Sequence, residues 1–177
     1  MGIVIRKMDN QNLQDLNQCD GVFTVTSQLV LNMENGKLGY TIVPVQPFEK
    51  RYPIDEITAS DYIDNPEKAV FFVYADGELA GQIRLLKWWN ACAYIDDIVV
   101  DVKHRRKGIG RMLLAKAVEW AKDGNYPGLM LETQNNNMAG CSLYKSFGFE
   151  LGGCDRFLYK GLHPLMDEVA LYWYLFW

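Results

Sequence analysis

The sequence predicts an α/β fold of the α+β kind, a mixed and mostly antiparallel sheet with helices on its faces. Three observations carry that expectation. Asn35-Gly36 and Asp76-Gly77 each sit between β-rich runs, the strongest short hairpin signal a sequence offers. Apolar residues then recur at helical spacing over 109–121. The later elements follow in the order strand, helix, strand, helix, strand, strand.

Taken along the chain, "GIVIRKM" reads as a first strand, and "DNQNLQDLNQ" as a helix start with an Asp cap and a weak apolar face. The first hairpin spans 22–45. Residues 46–68 are polar, contain three prolines, and read as a connector with at most one short helix around Ile57 to Ile63. A second hairpin lies in "AVFFVYADGELAGQIRLLK", and "CAYIDDIVVDV" supplies a further strand. Ile109, Met112, Leu113, Ala117, Trp120 and Ala121 define the apolar face of a helix that Gly124 and Pro127 end. "GLMLETQ" is the next strand, followed by a short helix capped by Asn137 and closed by Gly148, then two terminal strands.

Composition narrows the function classes. A chain of 177 residues with 49% hydrophobic and 23% charged residues suits one soluble domain, 1–177, with a core that needs no disulfides. A net charge of -4 argues against binding nucleic acid by bulk electrostatics. Cys19, Cys92, Cys141 and Cys154 form no C-x-x-C pair and there are two histidines, so reduced thiols are expected and no metal site. The N-terminus lacks a signal peptide's apolar core, so a cytoplasmic location is expected. "ALYWYLFW" is too short to span a membrane and reads as an aromatic strand buried on both faces; the same run also suits a homodimer interface.

Against that acidic background, "VDVKHRRKGIGRML" stands out. A helix start presents unpaired amides and the positive end of a dipole, so it stabilises anions. Gly108 and Gly110 let the backbone approach such an anion closely, and Arg105, Arg106 and Lys107 add full charges, Arg in a fork that suits phosphate. Together they suit a pyrophosphate. No G-x-x-x-x-G-K-[ST] loop is present. A dinucleotide fingerprint fails too, because Leu113 stands at its sixth position and the preceding strand carries Asp96, Asp97 and Asp101. A solvated basic turn remains the bland alternative.

The spacing Arg-x-x-Gly-x-Gly, after Val-Val-Asp and before an amphipathic helix, resembles the acyl-CoA binding motif of the GCN5-related N-acetyltransferase superfamily. "LETQNNNMAGCSLYKSFGF" is similar to its second half-motif, with Asn137, Tyr144, Gly148 and Phe149 at the matching places. Gly140 departs from the Ala common there.

The resemblance covers roughly residues 69–160 as an acetyl-CoA binding core, leaving 22–68 as the acceptor-side hairpin and connector. It implies a GNAT fold with splayed central strands and acetyl-CoA as co-substrate. Ile98, Val99 and Val100 would pair with the pantetheine amides as an added strand does, at a β-bulge. One freed amide of this stretch would bind the thioester oxygen. Residues 105–111, from Arg105 through Ile109 to Arg111, would hold the pyrophosphate, and Asn137 and Tyr144 would complete the cofactor contacts.

An acceptor amine must lose a proton before it attacks, and a carboxylate is the expected base. Glu132 matches the position of a base proposed for some members of the superfamily, with Asp96 and Asp97 as rivals; any of the three is alternatively a holder of a cationic substrate or a solvated strand-end acid. Tyr144 would protonate the departing thiolate, since its phenol stays protonated at working pH. A buried Tyr packed on Phe147 is the structural alternative.

Trp88, Trp89 and Tyr94 stand near the expected cleft, and aromatic faces with carboxylates favour a cation, so Trp88, Tyr94, Asp96 and Asp97 are the candidate acceptor contacts. The Trp pair equally suits a core role. The run from "CDGVFTV" through "AGQIRLLKWWNACAYIDDIVVDVKHRRKGIG" to "EVALYWYL" resembles the streptothricin-acetylating branch of the superfamily. That implies an amine on the antibiotic's β-lysine appendage as acceptor, a small-molecule cationic partner. Other readings are a protein N-terminal amine, an aminoglycoside, or a non-catalytic acyl-CoA binding module.

Overall fold

A computed structural model describes residues 2–163 and 166–177. The chain divides into two compact units. The first comprises Met1–Val22, Arg51–Leu129 and Phe176–Trp177; the second comprises Phe23–Lys50 and Met130–Leu175.

In the first unit β1 (Ile3–Lys7), β4 (Lys68–Ala75), β5 (Glu78–Lys87) and β6 (Ala93–Val100) lie side by side in that order. Each neighbouring pair is antiparallel. The β4–β5 turn places Asp76 at φ 51° and Gly77 at φ 88°, the left-handed pair that a two-residue hairpin requires. Helix α1 (Ile109–Asp123) packs against β4, β5 and β6. Ile109, Leu113, Leu114, Ala117 and Ala121 are its buried stripe, while Met112 and Trp120, expected to face the core, are only half-buried. The helix lies close over Gly81, where an added Cβ would lie 2.9 Å from Ile109 Cγ2 and 3.1 Å from Leu113 Cδ1.

In the second unit β2 (Phe23–Glu34) and β3 (Lys37–Lys50) form a two-stranded antiparallel ribbon. Its turn holds Asn35 at φ 52° and Gly36 at φ 74°. The remaining strands are β7 (Gly128–Gln134), β8 (Glu150–Asp155) and β9 (Ala170–Phe176), which lie in the order β7-β9-β8, with β8 and β9 antiparallel. Helix α2 (Met138–Phe147) packs against β2.

The expected α+β class and its mostly antiparallel pairing are observed. Three local expectations change. Residues 9–18 make only a 3-10 turn at Leu13–Asp15, because Asp9 and Asn12 accept hydrogen bonds from neighbouring amides (Gln11 N, 2.7 Å; Asp9 N, 2.8 Å), which compete with a helix. The first hairpin runs on to Lys50, through Pro44 and Pro47, since a ribbon strand has an edge on which a missing N–H is tolerated. The C-terminal run is buried at Ala170, Leu171 and Trp173 but leaves Phe176 60% exposed, so it is not covered on both faces throughout. Among the described residues no helix is long and apolar enough to cross a membrane.

Candidate active site

The basic corner has a definite backbone form. Strand β6 ends at Val100, and Asp101 caps a 3-10 turn (Val102–His104) by accepting from Lys103 N at 3.0 Å. Arg106 and Gly108 then adopt left-handed φ values of 64° and 82°. Left-handed residues on both sides of Lys107 turn the chain sharply before α1, and anion-binding nests of amides form in backbone of this kind. A left-handed φ is uncommon for a residue with a side chain, and Arg106 stores that strain in the corner.

The first helical bond runs from Met112 N to Gly108 O at 3.1 Å. The N-cap residue of α1 is Gly108, which has no side chain to cap with, and no acid stands in the helix's first turn, so the helix's own carboxylates leave the dipole end uncompensated. Arg106, Lys107 and Gly108 are exposed. Arg105 is half-buried and donates from Nε to Val100 O at 3.3 Å, tying the loop to the end of β6. The Ile109 side chain is committed to the core, so that residue offers an anion only its amide.

The expected β-bulge is present in β6. Arg84 pairs with Asp97 and Leu85 with Ile95, which leaves Asp96 as the extra residue. A bulge turns its two residues toward the same side as the one they oppose, and Arg84, 2% exposed, meets Asp96 there (Nε to Oδ2, 2.5 Å) and also reaches Asp55 of the connector (Nη2 to Oδ2, 2.6 Å). Asp97 accepts from Gln82 Nε2 at 2.7 Å. Desolvation pushes its carboxyl up, against the lowering effects of Gln82 and Arg84. Ile98, Val99 and Val100 continue the strand beyond the bulge, paired with Ile83, Gln82 and Gly81.

The two rivals for the base therefore have other commitments: Asp96 is spent on Arg84, and Asp97 is desolvated beside Gln82. Arg84 went unnoticed in the sequence, although a cation between apolar residues in "IRLL", opposite an Asp-Asp pair, was the available signal. Its removal leaves the partly buried Asp96 without its cation, while Asp55 stays exposed to water. Arg84→Met is expected to lower unfolding stability by about 3 kcal/mol in urea titrations, the scale for breaking a buried pair.

Trp88 and Tyr94 stack on one another at the end of this hairpin, with centroids 4.4 Å apart and an interplanar angle of 20°. Trp89 instead points outward, 87% exposed. The structure thus brings Trp88 and Tyr94 together and separates Trp89 from them.

In the second unit, Glu132 lies on β7 between buried Leu131 and Thr133, and is itself half-buried. Burial pushes its carboxyl up to about 7. Its hydrogen-bond partner is the Tyr159 hydroxyl.

Asn137 caps α2 by accepting from Gly140 N at 3.0 Å, and its Nδ2 donates to Thr133 Oγ1 at 3.2 Å. The Asn137 side chain is thereby committed to holding the helix start. A Cβ on residue 140 would lie 2.8 Å from Asn137 Nδ2, which accounts for Gly in place of Ala there. Gly148, at φ 114°, closes α2. The Tyr144 ring is 4% exposed and sits 6.0 Å from Phe149 and 6.4 Å from Trp173.

A cluster missed in the sequence joins Lys50 to Gln134, Asn136 and Glu168, fixing the turn between β7 and α2. Among the described residues no group of three or more His, Cys, Asp or Glu side chains is arranged for a metal ion, and all four cysteines are free thiols.

A basic corner with left-handed Arg106 and Gly108 leads into a helix without an acid in its first turn, where the acyl-CoA binding motif was expected. Residues 40–149 match the model of the acetyltransferase (GNAT) family, and the chain belongs to that family. Within it, the similarity is to streptothricin acetyltransferases. The chain is 37% identical over 172 residues to streptothricin acetyltransferase A of Bacillus subtilis (strain 168), covering 97% of this chain and 98% of the relative. It is 40% identical over 132 residues to the streptothricin acetyltransferase of Escherichia coli, covering 75% and 72%. Among solved structures, a Bacillus anthracis str. Ames protein assigned as a streptothricin acetyltransferase, in complex with acetyl coenzyme A, superposes with a TM-score of 0.91 at 41% identity over 100% of this chain and 98% of that one. Nourseothricin acetyltransferase gives a TM-score of 0.82 at 29% identity, covering 99% and 98%.

Proposed function

We propose that this enzyme transfers the acetyl group of acetyl-CoA to a primary amine of streptothricin, on its β-lysine appendage, in the cytoplasm. The observation that carries this reading is likeness along the whole chain to streptothricin acetyltransferases, 37% identity over 97% of its length. The left-handed Arg106 and Gly108 at the start of a helix support the choice of donor, because a helix start of that kind favours an anion.

Acetyl-CoA supplies an activated thioester. Residues Arg105 to Arg111 hold its pyrophosphate, and the backbone of Ile98 to Val100 takes the pantetheine arm as an added strand. Glu132 accepts the proton of the acceptor ammonium, directly or through one water, so that the amine is free to attack. As the N–C bond forms and the C–S bond breaks, Tyr144 gives its phenolic proton to the sulfur, and the phenolate regains a proton, through water, from the nitrogen as it becomes an amide. Trp88 and Tyr94 offer aromatic faces to a cationic acceptor.

Two measurements test the assignment. CoA release is expected to be fastest with streptothricin when it is compared with an aminoglycoside and with peptide amines; no release above background with streptothricin refutes the substrate. Gly108→Val is expected to weaken acetyl-CoA binding about ten- to a hundredfold by calorimetry. No atom lies within 4 Å of a Cβ built at Gly108, so the effect comes from forcing a β-branched residue to a φ of 82°, a strain of about 1–3 kcal/mol.

A further inference from the structure

The run "FLYKGL" after β8 forms a 3-10 turn at Leu158–Gly161. Asp155 sets that turn, accepting from the amides of Phe157 (2.7 Å) and Leu158 (3.1 Å). Of its four large apolar or aromatic side chains, Phe157 is 72% exposed, Leu158 43% and Leu162 78%, whereas Tyr159 is 7% exposed. A turn that leaves three such groups in water and buries one phenol is organised around that phenol. The Tyr159 hydroxyl donates to Glu132 Oε1.

We propose that Tyr159 is the positioning residue of Glu132: its hydroxyl occupies Oε1, holds the carboxylate in one orientation and leaves Oε2 to receive the proton. This rests on the reading of Glu132 as the base. The surroundings of Glu132 make the hydroxyl matter. Tyr172 on β9 also faces it, with a phenol raised by burial and by the charges of Asp155, Glu132 and Tyr174. Among the described residues no Lys or Arg bonds to Glu132. Tyr159 is therefore the donor that stabilises the ionised carboxylate against its desolvation, and a donor to the charged form lowers a carboxyl's pKa.

The test is the pH profile of kcat/KM for wild type, Tyr159→Phe and Glu132→Gln, together with the carboxyl titration of Glu132 read by carbon NMR in the first two. Loss of a hydrogen bond to a charged group is expected to move the acidic limb of Tyr159→Phe, and the NMR midpoint, upward by about one pH unit. Activity then falls about tenfold on the acidic side and returns to near the wild-type rate on the alkaline side. Tyr159→Leu, which keeps apolar bulk in the same place, is expected to show the same displacement.

A uniform loss at every pH, or an unmoved limb with an unmoved midpoint, overturns the role of Tyr159 while leaving Glu132 in place. If Glu132→Gln keeps the wild-type rate and limb, the base assignment fails, and the NMR midpoint separately reports whether Tyr159 controls the carboxyl.

Discussion

Glu132→Gln is expected to lower kcat/KM about 10²- to 10⁴-fold, the range that a positioned general base contributes. The amide keeps the size and the polar contact of the side chain but accepts no proton. Wild-type activity should rise with pH through about 7, where the buried carboxyl ionises, and the variant should lose that rise. Stability moves the other way. Because the folded-state value is raised above the ordinary 4.5, the contribution of Glu132 to folding is fully present below that value and is lost as pH rises through about 7. Above pH 7 the wild type carries a desolvated charge that the variant lacks. The variant should therefore melt higher than wild type at pH 8 while turning over far more slowly. Activity within a factor of two of wild type at pH 8 contradicts the assignment.

Tyr144→Phe should lower kcat by a comparable factor of about 10²–10⁴ and leave acetyl-CoA affinity in place. The ring is packed against Phe149 and Trp173, and phenylalanine preserves that packing, so the change is confined to the hydroxyl. A general acid acts on the leaving thiolate in the transition state, hence the effect falls on kcat rather than on ground-state binding. A non-catalytic acyl-CoA binding module would be indifferent to the substitution. An unchanged kcat in a folded, acetyl-CoA-binding variant removes Tyr144 from the chemistry and leaves its aromatic packing as its role.

What was legible in the sequence is what is encoded locally. Asn35-Gly36 and Asp76-Gly77 specify their turns through φ alone, and the Asn137 cap and Gly148 close of α2 act within a few residues. The start of α1 behind the basic corner was legible for the same reason, since its glycines, basic residues and helix start are contiguous. Partners that meet across long stretches of chain were hidden. Arg84 finds Asp55 and Asp96, Lys50 finds Glu168, and Tyr159 finds Glu132, 27 residues away.

Local signals also misled where tertiary context overrode them. Pro47 sits inside a strand because a ribbon leaves it an edge, and Asp9 and Asn12 turn to their own backbone instead of starting a helix. The roles of the three candidate carboxylates separate only by environment. The sequence presents Glu132, Asp96 and Asp97 alike, whereas an ion pair occupies Asp96, Gln82 holds Asp97, and burial brings Glu132 to about 7.

The central claim is that the amides of Arg106 to Gly110 receive the pyrophosphate of acetyl-CoA. Amide hydrogen exchange of the whole protein, measured with and without acetyl-CoA, tests it most directly. The account predicts marked protection at 106–110 and along Ile98 to Val100 on addition of acetyl-CoA, with the strands β1 and β4 unchanged. Exchange at 106–110 that is the same in the presence and absence of saturating acetyl-CoA would contradict it.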